Sequence, residues 1–247
     1  MFYFGSNTKR DLSPAQHFSL AKTALKISQE FLDSQIFLLP AMPLMQPVMD
    51  IAKDSRLWVG NQSISSTSAG DVTGEVSAKL LKALGSNLVL IGHAERRRLF
   101  DDDSAISSQL KLAKSSGLRI LFCIGEKSVI KDKKELRKFF RRQLRPLANI
   151  QTRILLAYEP VFSIGVAGKA ADPRYIENNL SIISEELLRL GISKSPILYG
   201  GSVDANNART YASLNYCDGL FVGRSAWSAR GFRQVFLAGY SGFVAKD

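Results

Sequence analysis

The chain of 247 residues has little of what secreted and membrane proteins depend on. Its two cysteines, Cys123 and Cys217, are too few for a disulfide framework, which favours a reducing, cytoplasmic setting. No apolar run approaches the ~20 residues that cross a bilayer. The amino-terminal MFYFGSNTKRDL lacks the basic and apolar regions of a secretory signal, so we expect neither export nor a membrane partner.

Signatures of metal and dinucleotide binding are also missing. The chain has two histidines, His17 and His93, and no combination of His, Cys or Asp has the spacing of a zinc site. No DxDxDG-like loop is present, so we expect no metal. No G-x-G-x-x-G follows the first apolar run, which weakens the case for a dinucleotide-binding open sheet.

Acidic residues are fewer than basic ones, 22 against 33, and the net charge is +11. The basic charge is concentrated in residues 127–145, where apolar residues recur at roughly helical spacing: Val129, Leu136, Phe139, Phe140 and Leu144. We interpret this segment as an amphipathic surface helix with a basic outer face. A nucleic-acid partner is disfavoured, because no recognised binding motif accompanies the charge.

What the chain does have is a repeated alternation of short apolar runs and helical patterns. The runs are Phe2–Phe4, Ile36–Leu39, Leu57–Val59, Leu88–Ile91, Ile120–Cys123, Ile154–Ala157, Pro196–Tyr199 and Leu220–Val222. They are continuous rather than alternating, which is typical of parallel strands buried on both faces. The helical patterns between them cover Pro14–Leu32, Ser77–Leu84, Ala105–Ser115, Lys133–Leu147, Pro173–Leu190, Ala205–Ser213 and Ser228–Leu237.

This order predicts an α/β fold, a (β/α)8 TIM barrel, as a single domain over residues 1–247, with an open doubly wound sheet as the competing fold. Active-site groups of such barrels follow the carboxyl ends of the strands. Polar and glycine residues stand at those positions: Asn7, Lys9, His93, Glu95, Glu159, Gly200, Gly201, Ser202, Gly223 and Arg224.

The residue types leave two interpretations open at each position. Glu159 is either a structural acid held by a basic neighbour or a general base whose pKa is raised in a closable apolar site. His93 is either a histidine satisfied by its neighbours or a group that polarises a carbonyl. Lys9 is a solvated surface charge or points into the same space. The glycines serve tight turns or expose backbone N–H groups to a phosphate.

Three segments resemble the triosephosphate isomerase family: GEVSAKLLKALGSNLVLIGHAERRRLF, AYEPVFSIG and ILYGGSV. The resemblance covers the chain from about Asn7 to Val222. It implies a (β/α)8 barrel, a homodimer, and isomerisation of a phosphorylated small sugar through an enediolate without a cofactor or metal.

The resemblance also implies roles for individual residues. Asn7 and Lys9 match the first loop, whose lysine faces the substrate's negative charge. His93 matches the electrophile, Glu159 the general base, and Glu95 a glutamate that hydrogen-bonds near the lysine.

Other matches concern the lid, the phosphate and the dimer. Residues 162–169 match the lid over the site. Gly165, Ser202 and Gly223 match residues whose backbone N–H groups hold the phosphate. Thr73 matches a threonine that reaches across a dimer interface to support the Asn7 and His93 of the partner.

Several positions depart from the family pattern. Thr8 stands for the tryptophan of N-W-K, Ala94 for the serine of GHSERR, and Phe162 for the tryptophan that ends the lid hinge. The lid has one extra residue between Gly165 and Lys169, and Arg224 stands where a second glycine is usual, beside the substrate.

The longer lid and the GRSAW sequence resemble a subgroup that isomerises erythrulose phosphate in erythritol catabolism. Two substrates therefore stay open, the triose pair dihydroxyacetone phosphate and glyceraldehyde 3-phosphate, and a four-carbon ketose phosphate. A third alternative is a non-catalytic barrel that acts as a basic binding protein.

Overall fold

A computed structural model describes residues 1–150, 154–165, 168–192 and 195–246. Its strands form a closed parallel barrel in which each strand pairs with the next along the chain and the eighth pairs with the first. The strands are β1 (Phe2–Asn7), β2 (Ser34–Leu39), β3 (Trp58–Asn61), β4 (Leu88–Ile91), β5 (Arg119–Ile124), β6 (Ile154–Tyr158), β7 (Ile197–Tyr199) and β8 (Gly219–Val222). The barrel prediction is confirmed, and the open doubly wound sheet is wrong.

Helices follow the strands as the sequence predicts, with two additions. They are α1 (Pro14–Glu30), α2 (Met45–Ile51), α3 (Ala78–Ala83), α4 (Ala94–Leu99), α5 (Asp103–Ser115), α6 (Lys133–Leu144), α7 (Pro173–Arg189), α8 (Ala208–Ala212) and α9 (Ala229–Val244). The sequence reading missed α2 and α4, which are short and lack an apolar stripe of useful length. It also ended α9 too early, because Gly239 and Gly242 interrupt the pattern. A Cβ at Gly239 would lie 2.7 Å from Leu220, so this glycine lets α9 pack closely on the barrel.

The interior of the barrel is filled by its own side chains. Phe37 and Phe221 stack with their ring centroids 5.9 Å apart. Gly5 makes room for them, since a Cβ there would lie 2.2 Å from the Phe37 ring. The barrel interior therefore has no room for a ligand beside these side chains, and the carboxyl-terminal rim of the strands carries the predicted site.

The basic segment forms a surface helix, as predicted, over a shorter range. Helix α6 buries Leu136, Phe140 and Leu144 and turns its basic residues outward. Val129 precedes the helix and is exposed, so its assignment to the helical pattern is wrong. Within the described ranges, no helix combines the length and the apolar character that a bilayer crossing requires.

Candidate active site

The acid–base candidates lie together at the carboxyl-terminal rim. Lys9 follows β1 by two residues, His93 follows β4 by two, and Glu159 directly follows β6. The Nε2 atom of His93 lies 3.8 Å from Oε1 of Glu159. Lys9 donates a hydrogen bond from Nζ to Oε1 of Glu95. Four residues that are up to 150 positions apart in the chain are thus close neighbours.

Glu159 is a buried carboxyl group without a strong counter-ion. Its exposure is 5%, and its Oε2 atom has no hydrogen-bond partner among the described residues. Burial raises the pKa of Glu159 above the ordinary glutamate value, and the neighbouring His93, the thiol of Cys123 and the ammonium of Lys9 offset this only in part. The alternative of a structural acid paired with a basic residue is therefore not supported, because no lysine or arginine among the described residues forms an ion pair with Glu159, and Lys9 is bonded to Glu95 instead.

The space around Glu159 is shaped by residues from two neighbouring strands. A Cβ at Gly200 would lie 2.7 Å from Cγ of Glu159. A Cβ at Gly125 would lie 1.9 Å from the backbone carbonyl oxygen of Glu159. The thiol of Cys123 lies beside the carboxylate, and burial, followed by the charge of Glu159, raises the pKa of this thiol well above its usual value. Sequence reasoning gave no role to Gly125 or Cys123, although both lie at the end of β5, where the strand-end rule could have found them.

The imidazole of His93 has a defined tautomer. His93 is the N-cap of α4, and its Nδ1 atom accepts a hydrogen bond of 3.2 Å from the backbone N–H of Glu95. An acceptor nitrogen carries a lone pair, so the ring proton is on Nε2. That atom faces Glu159 across 3.8 Å, a separation too long for a hydrogen bond. His93 can therefore donate from Nε2 to a ligand placed between the two side chains.

His17, the other histidine, is a packing residue. It is 1% exposed in α1, and its ring bonds the hydroxyl of Thr8 at 2.9 Å. His17 also accepts a hydrogen bond at Nε2 from the backbone N–H of Ala41 at 3.3 Å, so its ring joins three segments of the chain. Through Thr8 it supports the loop that carries Lys9.

Lys9 is held in a backbone conformation that lysine rarely adopts. Its φ is 53°, in the left-handed region. The backbone N–H of Lys9 donates to Oδ1 of Asn7 at 2.9 Å, and its carbonyl accepts from Nε2 of Gln62 at 2.8 Å. These two bonds fix the strained backbone, which aims the ammonium group across the rim. Gln62, which follows β3, is a positioning residue that sequence reasoning missed.

Glu95 is the acceptor for the ammonium of Lys9. Partial burial acts to raise the pKa of Glu95, but the hydrogen bond from Lys9 and the surrounding positive charges outweigh it, and the pKa is lowered overall. Glu95 therefore stays ionised and holds the Lys9 side chain in place.

Three backbone N–H groups on the rim have no acceptor among the described residues. They belong to Gly165, Ser202 and Gly223, the residues predicted to hold a phosphate. Gly165 has a φ of 89°, and a Cβ at Gly223 would meet nothing within 4 Å. Unpaired N–H groups on exposed loops are suited to an anion. The segment that is one residue longer than in the family pattern includes Val166 and Ala167, and both lie outside the described residues.

A short turn after β8 connects three other loops of the rim. The guanidinium of Arg224 donates to the carbonyl of Gly165 in the lid. The next residue, Ser225, donates to the carbonyl of Val203, and Trp227 donates from Nε1 to the carbonyl of Asn7 at 2.8 Å. The side chain of Arg224 thus points at the lid rather than away from the rim.

Thr73 does not join the other predicted residues within one chain. It is exposed in a loop between β3 and α3, and its side chain makes no hydrogen bond to any described residue.

Possible metal ligands are not grouped in space. In the ranges that the structure describes, no three His, Cys, Asp or Glu side chains could hold an ion together.

Comparison of the sequence with known proteins identifies the family of this barrel. Residues 3–238 match the sequence profile of the family described as triosephosphate isomerase. The chain belongs to the triosephosphate isomerase family. It is therefore an enzyme, a sugar-phosphate isomerase, and the interpretation as a non-catalytic barrel is set aside.

Individual relatives carry two different names. The chain is 30% identical over 239 residues to the triosephosphate isomerase of Dictyostelium discoideum, covering 94% of this chain and 93% of that protein. It is 31% identical over 243 residues to the L-erythrulose-1-phosphate isomerase of Rhizobium rhizogenes, covering 95% and 93%. It is also 31% identical over 242 residues to triosephosphate isomerase 2 of Listeria innocua, covering 94% of each chain. Because these identities are equal within a percentage point, overall similarity does not choose a substrate.

Proposed function

We propose that this isomerase interconverts dihydroxyacetone phosphate and glyceraldehyde 3-phosphate through an enediolate, with Glu159 as the base. The observation that carries the proposal is the pair formed by Glu159 and His93. A buried carboxyl group with a raised pKa faces a ring N–H across 3.8 Å. This gap suits a carbon acid whose carbonyl oxygen contacts His93 while its C–H contacts Glu159.

The chemical steps follow from these positions. Glu159 removes a proton from the carbon next to the carbonyl, and the electron pair moves into a carbon–carbon double bond. The carbonyl oxygen gains negative charge, which the N–H of His93 and the ammonium of Lys9 stabilise. The former carbonyl oxygen takes up a proton and the neighbouring hydroxyl gives one up, with the ring of His93 relaying it between the two oxygens. Glu159 then returns its proton to the former carbonyl carbon, and the neighbouring oxygen becomes the new carbonyl. A glutamate base, a neutral histidine and a closing loop are the established division of roles in this family.

The phosphate end of the substrate is assigned to the three unpaired N–H groups. Gly165, Ser202 and Gly223 would each donate to a phosphate oxygen, and Asn7 would orient Lys9 toward the substrate. A closed lid would exclude water, which strengthens these interactions and protects the enediolate from losing phosphate.

A four-carbon ketose phosphate, erythrulose phosphate, is the second candidate substrate. Arg224 occupies a position where the family usually has a glycine, and its guanidinium bonds the lid at Gly165. A lid held by this contact and lengthened by one residue would enclose a different volume. Relatives with both names support both substrates equally.

We also propose that the active form is a homodimer in the cytoplasm. The exposed loop that carries Thr73 would insert beside Lys9 of a second copy. A surface pocket of about 330 Å³ lies there, lined in part by Leu12, Met42 and Leu44. Thr73→Arg should yield monomers with little activity, as measured by light scattering and turnover on the same samples. A fully active monomer would contradict the assembly.

The test of function is side-by-side kinetics on dihydroxyacetone phosphate and L-erythrulose 1-phosphate, with Glu159→Gln as the control variant. We expect turnover of at least one substrate and a loss of about 10²–10⁴-fold in Glu159→Gln. A preference of about tenfold or more in kcat/KM names the substrate, since one extra carbon is worth ~10–200-fold in a fitted site. Undiminished turnover in Glu159→Gln would exclude Glu159 as the base.

A further inference from the structure

The strong positive charge of this chain has no role in the chemistry proposed for the rim, and much of it lines one groove. The groove lies between α5 and α6 and has a volume of about 760 Å³. Ligand-binding clefts usually have ~300–1,000 Å³. Five cationic side chains line it together with one carboxylate, that of Asp103; the cations are Arg97, Lys111, Lys114, Arg142 and Arg145. We call it the α5–α6 groove.

Most of these cations are not neutralised by the protein. Within the described ranges, no ion pair involves Lys111, Arg142 or Arg145. Lys114 donates from Nζ to the carbonyl of Asn149 at 2.9 Å, which holds the ammonium in place without cancelling its charge. Asp103 lies 3.5 Å from Nη1 of Arg97, and its side chain is otherwise exposed. Concentrated positive charge in a concave surface attracts a multivalent anion.

The unpaired cations of the groove differ from the arginines on the α7 side of α6, which are paired with carboxylates. Arg137, on the other side of this helix, pairs with Glu185 at 2.7 Å and with Glu186 at 3.1 Å. Arg141 pairs with Glu186 at 2.9 Å. The basic helix therefore presents neutralised arginines toward α7 and free cations toward α5. A nucleic-acid strand needs a continuous basic track, whereas a short anion needs only the groove.

Two residues of the groove also hold backbone segments next to the catalytic pair. Arg97 donates from Nε to the carbonyl of Gly92, which precedes His93, at 2.7 Å. Gln143 accepts from the N–H of Gly125 at 2.9 Å, and Gly125 packs directly against the backbone of Glu159. An anion in the groove would compete with Asp103 for Arg97 and so shift the peptide next to His93.

We propose that the α5–α6 groove is a second binding site, for a small polyphosphate anion, and that its occupancy lowers turnover at the rim. The coupling rests on the proposed function, whereas the binding does not. The polyphosphate group could be inorganic or part of a nucleotide, and the charges on the groove recognise what the two share.

Binding is measured by calorimetry with inorganic tripolyphosphate and, in a separate titration, ATP without metal. The groove variant is Lys111→Glu with Arg145→Glu, and the control is Lys22→Glu with Lys53→Glu, which changes the net charge equally at exposed lysines elsewhere. We expect the Kd to rise about tenfold or more in the groove variant and less than about twofold in the control. Equal affinity for the two anions would show that the groove recognises the phosphates alone. Tighter binding of ATP would identify a nucleoside polyphosphate as the ligand.

Coupling is measured by kinetics at saturating substrate. We expect tripolyphosphate to lower kcat about fivefold in the wild type and in the control, and not in the groove variant. Competition at the rim would instead raise KM alone, and in all three proteins. Equal Kd values in the groove and control variants, or tighter binding of a short single-stranded RNA than of tripolyphosphate, would overturn the proposal. An inactive wild type that still binds tripolyphosphate in the groove would reject the proposed function and keep the site.

Discussion

A methyl group added at Gly200 tests how closely catalysis depends on the position of Glu159. The added Cβ would lie 2.7 Å from Cγ of Glu159, and its next neighbours are Oε1 and Cδ of the same side chain, at 3.2 and 3.3 Å. Ordinary contact begins at 3.4 Å, so Gly200→Ala pushes the side chain away by the difference, about 0.7 Å. The three nearest atoms all belong to Glu159, so the substitution displaces the proposed base itself.

The expected loss can be estimated from that displacement. A misplacement of about 1 Å costs ~10²-fold in rate. We therefore expect kcat of Gly200→Ala to fall about 10- to 100-fold, which is ~1.4–2.7 kcal/mol of transition-state stabilisation. KM should change little, because the N–H groups of Gly165, Ser202 and Gly223 are untouched. The melting temperature should stay within about 2 °C, because the flexible carboxylate can move.

A side chain without a Cγ atom provides the control. Alanine at position 159 ends at Cβ, so on a Glu159→Ala background the added methyl group has none of these atoms to displace, and Gly200→Ala should change the residual rate less than about threefold there. Steady-state kinetics of both single variants and the double variant decide the matter. A kcat of Gly200→Ala within about twofold of the wild type would refute the reasoning, and so would the same loss on both backgrounds.

Three further predictions concern the buried carboxyl group, the lid and the thiols. Because burial raises the pKa of Glu159, ionisation of this carboxyl group destabilises the folded state once the pH rises past the pKa of the unfolded chain. Glu159→Gln should therefore melt a few degrees above the wild type at about pH 8. At about pH 4 the two proteins should melt at the same temperature. The same shift moves the acid limb of kcat/KM above the ordinary glutamate pKa, and a limb at or below that value would contradict it. Arg224→Ala removes the hydrogen bond to the lid carbonyl of Gly165, so KM should rise about three- to tenfold and more inorganic phosphate should be released from the enediolate. Arg224→Lys should have effects between those of the wild type and Arg224→Ala. Unchanged phosphate release would mean that the contact does not hold the lid. Burial raises the pKa of Cys123 and of Cys217, so a thiol reagent should label them only on unfolding, and fast labelling of the native enzyme would disagree.

The sequence predicted the strands and the rim residues because each of them depends on a pattern within a short stretch of chain. Continuous apolar runs predicted the strands, because a strand buried on both faces has no room for polar residues. Lys9, His93 and Glu159 were found at the rim because they follow strand ends. Helix α4 was missed because its sequence AERRRL has no apolar stripe and its beginning depends on the side chain of His93 as a cap.

Other features depend on distances that only the folded chain defines. The room that Gly200 leaves for Glu159 follows from the approach of β7 to β6, and no sequence pattern in either strand predicts it. The bond from Arg97 to the peptide before His93 depends on how α4 packs on the barrel. Thr73 has no partner in a single chain, so its predicted role needs a second copy to be tested.

The bond between Trp227 and Asn7 joins residues that are 220 positions apart in the chain. Synthesis at ~5–20 residues per second therefore separates their appearance by roughly 10–45 s. Between the synthesis of Glu159 and that of β8, which takes roughly 3–12 s at the same rate, the nascent chain contains Lys9, His93 and Glu159, but neither the closing strand β8 nor the turn that bonds Asn7 and Gly165. An unfinished enzyme would thus carry every acid–base group and still lack the rim that aligns them, so activity would begin only after the final strand leaves the ribosome.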